Sequence, residues 1–146
     1  GDQTLTTARG VSAYYCHNSY VAEVVDIDTS KGSNRVSNVT AAIDCGIVVN
    51  PDAAKNMAEG AIVDGIGNAL FGELTFENGK PSKNNFNTYR MIRQQEAPKN
   101  IDIHFVQNEF DPTGLGEPPF PPIFAALANA LYKVNGKRYY NQPFNG

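Results

Sequence analysis

The chain has 146 residues, 41% of them hydrophobic, and a formal net charge of −3. That is enough chain for one domain with a core of its own, and the apolar content separates it from disordered sequences. The slight acidity and the absence of a basic stripe exclude nucleic acid as an expected partner, and no apolar run reaches the length of a membrane span.

Residues Gly1 to Thr7 are polar and threonine-rich, with no apolar period. With no initiator Met, Gly1 is expected to be a residue left by tag removal, and residues 1–8 a lead-in cut from a longer chain. Residues 9–146 are expected to form a single domain, and no localisation is assigned. Cys16 and Cys45 lack metal-ligand spacing and make no disulfide framework. A pair between them is one reading, and two separate small core residues is the simpler one. His17 beside Cys16 has no partners in sequence that would make a metal site.

Ser19 to Asp28 alternates around Tyr20, Ala22, Val24 and Val25 and predicts a strand, as does Val36 to Asp44. The polar turn 29–34 between them predicts an antiparallel hairpin. Asn50-Pro51-Asp52 then marks a helix start: Asn50 as cap, proline in the first turn, and Asp52 complementing the dipole. From Ala53 to about Leu70, Ala54, Met57, Ala61, Ile62, Ile66, Ala69 and Leu70 recur at helical spacing.

Gly60, Gly65 and Gly67 fall inside that helix. Each mid-helix glycine costs about 0.5–1 kcal/mol relative to alanine, so compensation is expected. Tight packing of the helix on a sheet is one account, and a helix end lining a cofactor cleft is the other.

Asn78-Gly79 predicts a second hairpin. The polar stretch 84–89 reads as an exposed or site-lining loop. Ile101 to Val106 alternates into a further strand, on which His104 occupies a solvent-facing position. Pro122 to Val134 predicts a helix with the stripe Ile123, Leu127, Ala130, Leu131 and Val134, ended by Asn135-Gly136, with Lys133 suited to the dipole. The expected class is α+β: two helices on one side of a mainly antiparallel or mixed sheet.

The segment from Gly114 to Pro122, Gly-Leu-Gly-Glu-Pro-Pro-Phe-Pro-Pro, carries the chemistry. Gly114 and Gly116 allow close backbone approach, and the prolines at 118, 119, 121 and 122 stiffen the backbone leading into the last helix. Glu117 is thereby held where an extended segment becomes a helix. A carboxylate so placed can be a general base, and it can equally be a turn residue.

Five collinear pieces carry a resemblance to one family: Arg9-Gly10-Val11, Ser19 to Val24, Asp44 to Pro51, Glu59-Gly60, and Gly114 to Pro122 with Ala128-Asn129-Ala130 and Gly136-Lys137-Arg138. The chain resembles the C-terminal part of the molybdopterin-binding large subunit of the xanthine dehydrogenase and aldehyde oxidase family, in the bacterial branch of the isoquinoline 1-oxidoreductase β-subunit. The resemblance implies hydroxylation of an aldehyde or an electron-poor N-heterocycle with water as oxygen source and Glu117 as base. It implies molybdopterin, in the cytosine dinucleotide form, as cofactor, with Gly114, Gly116, Met57 and Gly60 at its site and no protein side chain ligating the metal. Upstream parts of the same subunit, an iron-sulfur subunit or domain and a small-molecule substrate are the implied partners. The chain by itself is expected to hold no cofactor and to be inactive.

One position departs from the pattern. Many family members carry glutamine where Met57 stands, and a thioether donates no hydrogen bond. A second reading therefore stays open: a non-catalytic binding or scaffold domain of the same fold that has lost the metal site.

Overall fold

The computed structural model describes residues 6–144. Three ten-residue strands, β1 (Thr7–Cys16), β2 (Ser19–Asp28) and β3 (Arg35–Asp44), form an antiparallel meander. Helix α1 (Pro51–Phe71) comes next, then the short hairpin β4 (Phe76–Glu77) and β5 (Lys80–Pro81). β6 (Asn100–Phe105) runs parallel to β3, giving the sheet order β1-β2-β3-β6, and α2 (Pro121–Asn135) closes the chain's regular structure. The sheet is mixed and both helices pack on one of its faces, as the sequence predicts.

β1 is an addition to the predicted order. Its residues past Thr7 alternate poorly, since only Gly10 among them is buried and Val11 and Tyr15 are exposed. Thr7 and Ala8, read as lead-in, begin this strand, whereas residues 1–5 lie outside the described residues.

Period-two alternation builds the sheet side of the core, with Val21, Val25 and Ile27 of β2 and Val36, Val39, Ala41 and Ile43 of β3 all buried. The three-residue step from Val36 to Val39 has a cause. Ile27 pairs with Val36 and Asp26 with Asn38, so Ser37 is the extra residue of a bulge. Ile62, Ile66, Ala69 and Leu70 of α1 and Ile123, Ala126, Leu127, Ala130 and Leu131 of α2 complete the core.

The helix signals act as read. Asn50 accepts a hydrogen bond from the Ala53 amide at 3.1 Å, and Pro51 opens α1. Gly136 ends α2 at φ 71, its amide bonded to the Tyr132 carbonyl. Two details are corrected. Met57 is exposed, and Ala58 takes the core position beside it, because the buried stripe runs 54, 58, 62, 65–66 and 69. Two of the three glycines of α1 meet close neighbours, but not the sheet. A Cβ on Gly65 would lie 2.9 Å from the Phe120 carbonyl of the α2 approach, and one on Gly67 2.8 Å from the Ile92 side chain. Gly60 has open space.

One core residue is out of character. Glu23, in the middle of β2, is fully buried on the helix-facing side, between Val21 and Val25 and opposite Ser12 and Ala41. Neither carboxyl oxygen has a hydrogen-bond partner among the described residues. Burial pushes its carboxyl up to about 9, because removing a carboxylate from water disfavours the charged form.

Candidate active-site edge

The segment before α2 is tied down at two places. The first is the exit of β3. Gly46 stands at φ 73, where a Cβ would come within 2.2 Å of the Asp111 carbonyl, so glycine lets residues 110–113 run alongside it. The Ile47 amide donates to the Phe110 carbonyl at 2.9 Å and the Thr113 amide to the Cys45 carbonyl at 2.9 Å.

The second anchor is the two-residue turn between β1 and β2. His17 and Asn18 have φ of 50 and 59, the left-handed pair that a tight hairpin requires. The Gly114 amide donates to the His17 carbonyl at 3.0 Å. The Ser19 hydroxyl, buried at the start of β2, donates to the Gly114 carbonyl and lies 2.7 Å from the Thr113 hydroxyl. A Cβ on Gly114 would fall 2.4 Å from the Cβ of His17, so only glycine permits this approach.

From these anchors the chain turns through Gly116 and Glu117 into the buried Pro118 and Pro119, with the Phe120 amide donating to the Glu117 carbonyl at 2.8 Å. The Glu117 side chain is 77% exposed, and its Oε2 lies 2.6 Å from His17 Nε2. Its charge reaches a neighbour: the Cys16 thiol is pushed up, by burial first and by the Glu117 carboxylate second. Met57 projects from the first half of α1, its Cε 3.1 Å from where a Gly116 Cβ would stand.

The structure therefore brings together Met57, Gly114, Gly116 and Glu117 from the sequence-derived set. Gly60 lies one helical turn beyond Met57, exposed, with open space where a Cβ would stand. The loop 84–90 does not join them. It continues into Met91 and Ile92, which pack at Gly67 and Gly72 near the far end of α1, about 15 Å along the axis at 1.5 Å per residue. His104 is exposed on β6, as expected. Cys16 and Cys45 are both free thiols, Cys45 buried and Cys16 half-buried.

His17 is the residue that sequence reasoning missed. The missing signal was β1: with a strand on each side, His17 and Asn18 are a two-residue hairpin connection, and both types tolerate positive φ. No group of three His, Cys, Asp or Glu side chains among the described residues is placed to hold a metal ion. No helix of the described structure is long and apolar enough to cross a membrane.

Residues 3–98 match the molybdopterin cofactor-binding domain family. The chain belongs to that family. The expected resemblance to the molybdopterin-binding subunits of the xanthine dehydrogenase family is thereby established. One relative is the membrane-bound aldehyde dehydrogenase [pyrroloquinoline-quinone] of Gluconacetobacter polyoxogenes, 36% identical over 119 residues, which are 82% of this chain and 15% of that protein. Another is the isoquinoline 1-oxidoreductase subunit beta of Brevundimonas diminuta, 30% identical over 128 residues, covering 86% of this chain and 16% of the relative. Among solved structures, the aldehyde oxidoreductase from Desulfovibrio desulfuricans superposes with a TM-score of 0.73 at 22% identity, over 86% of this chain and 14% of that one. That likeness establishes the fold. The chain spans about a sixth of the length of the curated relatives it matches.

The residues at the edge fit one wall of a cofactor site. Glu117 is an exposed acceptor, Gly116 offers backbone without a side chain of its own, and the Met57 side chain lies against Gly116. The hydrogen-bond donor that glutamine would present at position 57 is absent.

Proposed function

We propose that, within its whole protein, this chain forms one wall of a molybdenum hydroxylase active site in which Glu117 is the general base. The substrate is an aldehyde or an electron-poor N-heterocycle, and the oxygen comes from water. The observation that carries this reading is the held, exposed carboxylate of Glu117. The chain anchors it from β3 and from the β1–β2 turn and then leaves it free on the outer side.

Molybdopterin with molybdenum, in the cytosine dinucleotide form, is the proposed cofactor, and when bound it supplies the two-electron redox chemistry. Gly114, Gly116, Met57 and Gly60 are the residues proposed to adjoin it. Glu117 removes a proton from the water-derived nucleophile that adds to the substrate carbon. For this it has to be ionised when substrate arrives and basic enough to keep the proton through the step. The proposed neighbours are the remainder of the subunit and an iron-sulfur subunit or domain. That domain takes the electrons onward, since the chain's two cysteines supply no cluster motif.

Glu117→Gln in the full-length, molybdenum-loaded protein keeps the shape and removes the base. Turnover falls at least about a hundredfold, the usual reach of general base catalysis, with molybdenum content unchanged. Undiminished turnover refutes the role.

A second reading, a scaffold domain of the same fold without a metal site, is favoured by Met57 alone. Metal analysis of the full-length protein separates the two, because stoichiometric molybdenum rules the scaffold out. The same measurement decides between molybdopterin and the quinone cofactor in the name of the Gluconacetobacter relative.

A further inference from the structure

His17 has no task in the family motif, yet the fold gives it a demanding place. It occupies the first position of a tight turn at φ 50, a left-handed conformation that histidine and asparagine adopt more readily than most side chains. Its backbone carbonyl and its side chain both engage the same short segment. The carbonyl accepts from the Gly114 amide at 3.0 Å, and Nε2 meets Glu117 Oε2 at 2.6 Å. A carboxylate only accepts, so the proton of that hydrogen bond belongs to the imidazole.

Stability does not account for the pair. Both side chains are largely exposed, at 58% and 77%, and exposed ion pairs contribute little to folding. Geometry does account for it. A glutamate has three rotatable side-chain bonds, and on an open edge it samples many rotamers. The 2.6 Å contact to Oε2 is the one hydrogen bond its side chain makes among the described residues.

We propose that His17 is the positioning residue for Glu117: its ring N–H holds Oε2 and leaves Oε1 as the oxygen that receives the proton. The inference rests on the reading of Glu117 as base. It gives the Gly114–His17 approach a purpose, since the backbone bond sets the separation that the imidazole then spans. Cys16, the residue preceding the turn, makes no hydrogen bond to the Glu117 carboxylate among the described residues.

The test uses the full-length, molybdenum-loaded protein and two substitutions of unequal reach. His17→Asn suits the positive φ and keeps the turn, but its amide is too short for Glu117. His17→Gln has both the length and an N–H. His17→Asn is expected to lower kcat about tenfold, the scale set by one side chain's rotamer freedom, with KM and molybdenum content unchanged. His17→Gln recovers most of the loss, and His17→Asn adds nothing in a Glu117→Gln background.

A second readout does not depend on turnover. Carbethoxylation of His17 at fixed pH, followed by peptide mass spectrometry with exposed His104 as internal reference, changes in rate several-fold in Glu117→Gln, where the carboxylate that accepts from the ring N–H is gone. A His17→Asn protein as fast as wild type overturns the proposal, and so does His17 reactivity that ignores residue 117. If Glu117→Gln itself keeps full turnover, the base reading falls and the positioning role with it, whatever the His17 variants do.

Discussion

Replacing Glu23 with glutamine removes the one ionisable group that the fold buries without a partner among the described residues. In the folded chain its carboxyl is pushed up to about 9 by burial, against an ordinary value of 4.5. Between those values the folded state holds a proton that the unfolded state has released. Stability therefore falls as pH rises through this window, by up to about 1.4 kcal/mol per unit. At pH 7 the accumulated loss is about 3 kcal/mol, relative to the fully protonated protein below pH 4.5. Glutamine has nearly the same shape and no proton to lose. Its amide also lacks a partner in this site, a cost of about 1–3 kcal/mol that is the same at every pH. The informative quantity is thus the difference in slope rather than the stability at any one pH. Urea unfolding of both proteins at half-unit steps from about pH 4.5 to 8.5, with unchanged m-values, gives it directly. The wild-type curve should descend relative to Glu23→Gln across the whole range. Parallel curves would show that the Glu23 carboxyl titrates as though solvated, and the account of its burial would be wrong.

Other substitutions test the packing and the edge. Gly10→Ala places a Cβ 1.9 Å from the Ala126 carbonyl and 2.5 Å from the Ala130 amide. These are backbone atoms that no rotamer change can clear, so a destabilisation of about 3 kcal/mol or more is expected in urea unfolding. Gly114→Ala drives the Glu117 segment away from the β1–β2 turn, and full-length protein carrying it should lose turnover at least tenfold. Normal turnover there would mean that the His17–Gly114 approach is dispensable. Asn50→Ala removes the cap of α1 and should cost about 1 kcal/mol, read as a lowered urea midpoint. Met57→Gln changes an exposed side chain, so stability should stay within about 0.5 kcal/mol. Any change in molybdenum content or kcat in that variant then reports on the donor at position 57 alone.

The residues that announce this fold do so through strong local chemistry. Asn50-Pro51, Asn78-Gly79 and Asn135-Gly136 each fix backbone geometry within a few residues, and all three act as read. Glu117 is marked out by the glycines and prolines around it, but spacing alone leaves a base and a turn residue equally open, and only the family resemblance points to a role. β1 is illegible because its buried side is made by Gly10 lying against α2, an apolar contact with no apolar side chain to signal it. With β1 unseen, the turn at His17 and Asn18 is invisible too, and with it the partner of Glu117. The glycines of α1 show the same limit in another form. Their number predicts close neighbours, but only tertiary structure identifies those neighbours as Ile123 and Ile92 rather than the sheet.

The edge is assembled from His17, Met57 and Glu117, which lie far apart along the chain, and from a parallel β3–β6 pairing that α1 and the β4–β5 hairpin interrupt. The β1–β3 meander closes short loops, whereas the parallel pairing and the return of residues 110–117 have to close long ones. The geometry around Glu117 therefore depends on the long-range closures, which are the entropically costlier ones. Displacing residues 110–117, which contain no helix or strand, leaves the regular secondary structure intact while Glu117 loses both anchors. Among the observables of this domain, the contact between residues 17 and 117 is accordingly a stricter measure of nativeness than its circular dichroism.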